Sequence, residues 1–355
     1  MTDLQPRPEL WRRPATRVAA AGGANFRIPD SVLAPLKAAN VELIQRPLRE
    51  PDGSVAKEVA EADVLISGGA LVDEAAVSQL RNVRFLLRPY VGYDDIDVDA
   101  ATRHGIVFAN VPDAFIEEVA NHTLALILAG NRKLLETDRF VKSGKWSAGG
   151  RNREASVPIR RLSALTLGLV GFGNIGKLVV DRARPFGFRF LAADPFVTQD
   201  AAAAYGVGLV PMDQLLAESD VISLHVFLNA ETRGMINARC FSLMKPDAYL
   251  VNTSRGPVVD EKALIEALQT GKIAGAGLDV FEVEPVAADN PLLQMPNVTL
   301  TSHIASYSVE GDISHQARTS EILMQVVRGE LPERKVVVNK DLYDQLASSL
   351  NVAHV

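Results

Sequence analysis

Short apolar runs alternate with amphipathic stretches along the chain, the pattern of parallel strands covered on both faces by helices. In the first third the candidate strands are Val18–Ala21, Val41–Gln45, Val64–Ser67, Phe85–Leu87 and Val107–Ala109, with helices predicted over Asp30–Ala39 and Asp73–Leu80. From about Ile116 to Val141, the residues Leu124, Ile127, Leu128, Leu134 and Leu135 fall at helical spacing and predict one long helix. Ser143 to Ser156, rich in glycine, serine and charge, reads as an exposed connection. A second series follows, with candidate strands Leu165–Val170, Phe188–Ala192, Val221–Leu224, Ala248–Val251, Gly277–Val280 and Val298–Leu300. Helices are predicted over Met212–Glu218, Glu261–Gln269 and Val309–Arg328. Two such series predict an α/β protein of two parallel-sheet domains facing a cleft, the place where ligands bind in these folds.

Composition supports that picture without sharpening it. The 355 residues exceed what one core usually supports, and 47% apolar with 23% charged residues is ordinary for a water-soluble globular protein. A net charge of −6 gives no sign of a nucleic-acid surface. The one cysteine, Cys240, lies in a run with helical apolar spacing and reads as core. It fits a reducing compartment, and no leader or membrane-length apolar run is visible, so the expected location is the cytoplasm.

The most specific local signal is the strand Leu165–Val170 followed by Gly171-Phe172-Gly173-Asn174-Ile175-Gly176. Gly171 permits a tight turn, Gly173 lets the backbone approach a pyrophosphate, and Gly176 allows close helix packing. The first N–H groups of the new helix, at Asn174 and Ile175, would hold phosphates. Asp194 follows the next strand at the spacing of a ribose-binding acid, and Pro195 to Gln199 contain no Arg or Lys to receive a 2′-phosphate. The pattern predicts NAD in preference to NADP. Three later strand ends carry ionisable groups: Asn252-Thr253-Ser254-Arg255-Gly256, Asp279 to Pro285 with Glu282 and Glu284, and Thr301-Ser302-His303. Taken singly, they read equally as a loop arginine, a surface acid and a strand-end cap.

Together, in this order, the motifs are more specific. With Val91-Gly92-Tyr93-Asp94-Asp95-Ile96-Asp97, Ala109-Asn110-Val111-Pro112, Leu224-His225-Val226 and Met244-Lys245-Pro246, the chain resembles the D-isomer-specific 2-hydroxyacid dehydrogenase family over nearly all of residues 17 to 340. It looks closest to the branch of C-terminal-binding proteins and phosphoglycerate-dehydrogenase-like enzymes. The resemblance implies two Rossmann-like or flavodoxin-like domains separated by an active-site cleft. Residues 17–112 plus 309–340 would form a substrate-binding domain and 113–308 the NAD-binding domain, with 1–16 and 341–355 as tails. It implies an NAD-dependent oxidoreductase transferring hydride to or from C2 of a small 2-oxo or 2-hydroxy acid, such as glyoxylate, hydroxypyruvate or 3-phosphohydroxypyruvate. Arg255 would orient substrate, His303 would be the acid/base and Glu284 its partner. Asp279 would accept from the nicotinamide carboxamide, and His225, Thr232 and Thr253 would line the cofactor. The N–H groups of Val91 and Gly92 would seat the substrate carboxylate, and Arg88 would be either a further active-site arginine, as in the C-terminal-binding branch, or a plain surface arginine. A homodimer built largely on the cofactor domains and the Arg132–Trp146 region is also implied.

Departures from the pattern bear on substrate. Phe227 stands where proline is usual, Asn229 where threonine is, and Tyr90 is bulkier than usual before Val-Gly. Ser306 replaces a tryptophan typical of the C-terminal-binding branch, which predicts a roomier or wetter pocket. His104, His122, His315 and His354 read as structural and form no metal-ligand pattern, and Glu117 with Glu118 reads as a helix start. The alternative from another class is an NAD-sensing corepressor-like interaction protein of the same fold. Serine-feedback regulation through a C-terminal domain is not expected, since the sequence stops soon after the last helix.

Overall fold

A computed structural model describes residues 6–23, 26–149 and 159–350. It divides the chain into two compact units, Met1–Ala114 with Val309–Val355, and Phe115–Ser308.

The first unit is built on β1 (Arg17–Gly22), β2 (Glu42–Gln45), β3 (Val64–Gly68), β4 (Phe85–Leu87) and β5 (Val107–Ala109), all parallel, in the order β2-β1-β3-β4-β5. β4 and β5 are buried at every position, as expected of strands covered on both faces. Two short helices here are capped by side chains, Asp73 and Asp97 accepting from the N–H groups of Ala76 and Ala100. The predicted helix Asp73–Leu80 accordingly shrinks to Glu74–Val77.

Two segments expected as tails are folded in their described parts. Trp11 is buried and its ring meets Phe85 edge-on. Lys340–Ser349 is a helix that buries Leu342, Tyr343, Leu346 and Ala347. Leu342 and Leu346 are one helical turn apart, so a single apolar stripe docks it.

The second unit carries β6 (Thr166–Val170), β7 (Arg189–Ala193), β8 (Gly208–Leu209), β9 (Val221–Leu224), β10 (Tyr249–Asn252), β11 (Gly275–Leu278) and β12 (Val298–Leu300). All pairs are parallel and the order is β12-β11-β10-β9-β6-β7-β8. Strand residues alternate between two apolar layers. Leu167, Leu169 and Val221 pack with the helices on one face, whereas Val170, Ile222 and Leu224 pack on the other. The connection reverses direction between β6 and β9, which opens a crevice at their carboxyl ends.

The predicted long helix is interrupted. Ile116–Asn131 and Leu134–Lys142 are separate helices, divided where Lys133 takes a left-handed conformation with φ 54°. The first packs on the sheet, and the second buries none of its residues. Of the predicted connection Ser143–Ser156, residues 143–149 form exposed turns and 150–156 lie outside the described residues, as does His354.

Candidate active site

The glycine loop joins β6 to the helix Asn174–Ala183 at the crevice. Gly171 has φ 89°, and a Cβ there would lie 2.5 Å from the carbonyl oxygen of His225, at the end of β9. Glycine is required on both counts. A Cβ on Gly176 would stand 2.9 Å from the Gly171 carbonyl oxygen, so helix and loop close tightly. No side chain caps the helix, leaving the N–H groups of Asn174, Ile175 and Gly176 available to an anion. Asp194 follows β7, and its Oδ2 accepts from the N–H of Phe172 (2.8 Å) while Oδ1 accepts from Phe196 (2.8 Å). The acid is therefore tied to the glycine loop itself, with acceptor capacity to spare on both oxygens. These residues fit a dinucleotide.

His225 borders the same crevice, its carbonyl against Gly171, and Thr232 lies in the turn that follows. Burial pushes the His225 imidazole down to about 4, so it is neutral near pH 7, with Nε2 2.9 Å from the Ser223 hydroxyl. Thr232 serves its own turn, since its hydroxyl donates to the Phe227 carbonyl (2.6 Å) and accepts from the N–H of Asn229 (2.9 Å). Phe227 is exposed. Thr253 is buried after β10, its Oγ1 2.8 Å from that of Thr123, which itself donates to Val119.

Arg255 sits on the turn after β10. Asn252, buried beneath it, accepts from the N–H and hydroxyl of Ser254 and donates to the Arg255 carbonyl (2.9 Å), fixing the turn. Gly256 then passes so close to the next loop that a Cβ would lie 1.7 Å from the Phe281 carbonyl oxygen. That contact draws the Arg255 turn against the segment carrying Glu284. Glu284 Oε1 accepts from the N–H of Phe281 (2.9 Å), and Oε2 meets His303 Nδ1 at 2.6 Å. His303 has a left-handed backbone, φ 55°, and its Nε2 has no protein partner among the described residues. The geometry suits an imidazole that exchanges a proton at Nε2 while a carboxylate holds Nδ1.

Asp279, at the end of β11, is fully buried. Its Oδ1 accepts from the Thr301 hydroxyl (2.6 Å) and the N–H of Ile304 (3.0 Å), and Oδ2 accepts from Ala305 (2.9 Å). Three of about four acceptor positions of the carboxylate thus hold the chain on either side of His303. The sequence assigned a role to Asp279 but none to Gly256 and Thr301 within their motifs, because the neighbours that use them are distant in the chain.

In the first unit, Val91 and Gly92 follow β4. Their carbonyls accept from Asn110 Nδ2 (2.8 Å) and Arg88 Nε (3.0 Å), and neither amide N–H has an acceptor among the described residues. Arg88 also donates through Nη1 to the Ser67 carbonyl (3.2 Å) and Asp95 Oδ2 (2.9 Å), so it tethers the loop that presents these amides. Tyr90 stacks on His315, its ring centroid 5.5 Å away.

Among the described residues no group of three or more His, Cys, Asp or Glu could hold a metal ion, and no helix is long and apolar enough to cross a membrane. Residues 124–305 match the profile of the NAD binding domain of the D-isomer specific 2-hydroxyacid dehydrogenases. The chain is 42% identical over 287 residues to the glyoxylate reductase of Korarchaeum cryptofilum, covering 79% of this chain and 85% of that one. It is 39% identical over 274 residues to the D-3-phosphoglycerate dehydrogenase of Archaeoglobus fulgidus, 77% of this chain but only 51% of that longer protein. The solved structure of the D-lactate dehydrogenase of Aquifex aeolicus, with NAD and lactic acid bound, superposes with a TM-score of 0.76 at 31% identity, covering 88% of this chain and 96% of that one. The chain belongs to the D-isomer-specific 2-hydroxyacid dehydrogenase family and is an NAD-dependent oxidoreductase acting on the CH–OH group of 2-hydroxy acids.

Proposed function

We propose that this enzyme reduces a small 2-oxo acid to the D-2-hydroxy acid, with glyoxylate first among the substrates and hydroxypyruvate and 3-phosphohydroxypyruvate next. The observation that carries this reading is the 2.6 Å contact between His303 Nδ1 and Glu284, which leaves Nε2 without a protein partner. Nicotinamide, when bound, supplies the hydride that reaches C2. His303 gives its Nε2 proton to the ketone oxygen as that oxygen becomes an alkoxide. Glu284 holds the ring in the orientation this requires. The Arg255 guanidinium can take the substrate carboxylate in a forked arrangement and polarise the ketone. The N–H groups of Val91 and Gly92 suit a carboxylate as well. The ranking of glyoxylate rests on the Korarchaeum relative, which this chain covers over most of its length.

Asp194 supports NAD over NADP, because its carboxylate would repel a 2′-phosphate. Phe115–Ser308 is read as the cofactor domain and the other unit as the substrate domain. A cytoplasmic location is proposed on the single cysteine. NADH oxidation with a panel of 2-oxo acids tests the reading. Turnover with glyoxylate or hydroxypyruvate is expected, with kcat/KM cut by at least about 10³ in His303→Ala and Arg255→Ala. A wild-type enzyme inert towards the whole panel, or an unimpaired His303→Ala variant, would overturn it. Greater efficiency with NADPH than with NADH would remove the Asp194 argument alone.

A further inference from the structure

His122 projects from the helix Ile116–Asn131 and ends beside the loop that carries His303. Its Nε2 lies 2.9 Å from Thr301 Oγ1 and 3.6 Å from Asp279 Oδ1. The direction of the first contact follows from counting hydrogens. A hydroxyl has one, and Thr301 gives its own to Asp279 at 2.6 Å. Thr301 must therefore accept from His122, so the imidazole carries its hydrogen on Nε2. Asp279 is fully buried, and His122 is the only basic side chain within 4 Å of its carboxylate among the described residues.

That carboxylate is what shapes the loop. Besides Thr301 it takes the N–H groups of Ile304 and Ala305, and the Asp279 carbonyl takes the N–H of His303 at 2.7 Å. These bonds bracket a residue held at φ 55°, a conformation uncommon outside glycine, although histidine tolerates it better than most side chains. We propose that His122 is a positioning residue for His303, acting through Thr301 and Asp279 to hold the left-handed turn that presents the imidazole to Glu284. The proposal rests on the role assigned above to His303.

The measurement compares wild type, His122→Leu, His122→Gln, Thr301→Val and the His122→Leu/Thr301→Val double variant. His122→Leu removes the donor and is expected to lower kcat about tenfold with NADH affinity, by fluorescence titration, unchanged, since small displacements of a reacting group are costly. His122→Gln keeps an N–H donor and should recover most of the rate. Thr301→Val should resemble His122→Leu, and the double variant should be no worse than either single one, because both break one chain of bonds. Amide exchange of the 303–305 segment in the enzyme without ligands should quicken in His122→Leu, a readout that needs no turnover. Wild-type kcat and exchange in His122→Leu, fully additive losses, or a rate loss matched by weaker NADH binding would overturn the proposal. His303→Ala assayed alongside separates the two ideas. If that variant turns over normally, the role of His303 fails and the inference falls with it. If it is inactive, the His122 series judges the inference alone.

Discussion

Gly173 and Gly256 both lie in the loops that build the site, and neither has positive φ. Their surroundings differ completely. Nothing lies within 4 Å of a Cβ on Gly173, whereas a Cβ on Gly256 would enter the Phe281 carbonyl. The protein alone therefore gives no reason for glycine at 173, and close approach by a pyrophosphate does. Gly173→Ala should keep its melting temperature while NADH binding weakens on the order of tenfold, about 1.4 kcal/mol. Gly256→Ala should do the reverse in kind. Backbone must shift to admit the methyl group, at a cost of about 2 kcal/mol, and the Arg255 turn moves away from the Glu284 loop with it. Melting temperature and kcat should both fall, whether or not cofactor is present. A melting loss in Gly173→Ala equal to that in Gly256→Ala would refute the distinction.

At the scale of elements, the helix Leu134–Lys142 is anomalous because it is amphipathic yet buries nothing. Leu134 is 59% exposed and Trp146, just beyond it, 62%. Beside this helix is a cavity of about 680 Å³ lined by Lys133, Glu136, Arg139 and Tyr249 among others. An apolar face of this kind on a short helix usually has a protein partner. If the chain pairs through this face, as the homodimer expected from the sequence would, Leu134→Glu combined with Trp146→Glu should give monomers in sedimentation analysis, with the fold of each unit retained by circular dichroism. A wild-type protein that sediments as a monomer would end that expectation. The same region shows where pattern reading stops. Leu134 and Leu135 continue the apolar period of the preceding helix, so the turn at Lys133, a residue type that does not favour left-handed backbone, leaves no mark in the sequence. Phe85–Leu87, Val107–Ala109, Val221–Leu224 and Val298–Leu300 were legible to the residue because buried parallel strands are short, predominantly apolar runs. β8 is too short for any period to register. The glycine loop could be read because its spacing after an apolar strand is local in the chain, whatever each glycine answers to. His122 and Thr301 could not, since 179 positions separate them and only the packing of helix on sheet brings them together.

For the whole molecule, the response to acid follows from where histidines lie. Burial pushes His225 down to about 4, and burial also lowers His315 in the other unit. In the unfolded chain each returns towards about 6.5. Between those values the unfolded state binds more protons than the native state, so stability falls as pH falls through this window. For His225 alone the loss by pH 5 would approach about 2 kcal/mol, reduced because part of the residue reaches solvent. The carboxylates held down by basic neighbours act in the same direction but lower down, whereas Asp95, raised by burial, acts the opposite way. Salt-bridging and hydrogen bonding to Arg318 and Lys335 hold Glu333 at about 2, and bonds from Thr166, Lys245 and Arg160 hold Asp220 below its usual range. Their stabilisation is present above the ordinary carboxylate range and disappears only as pH drops towards their native values. Comparison with a His225 variant over the interval from pH 6.5 to 5 therefore isolates the share of His225. Urea unfolding across it, followed by fluorescence, should show stability decreasing in wild type and a shallower slope in His225→Gln, whose amide can still reach Ser223. An identical slope in the two proteins would mean that His225 is protonated in the native state over the same range as in the unfolded chain, and that the crevice beside the glycine loop is open enough to hydrate it.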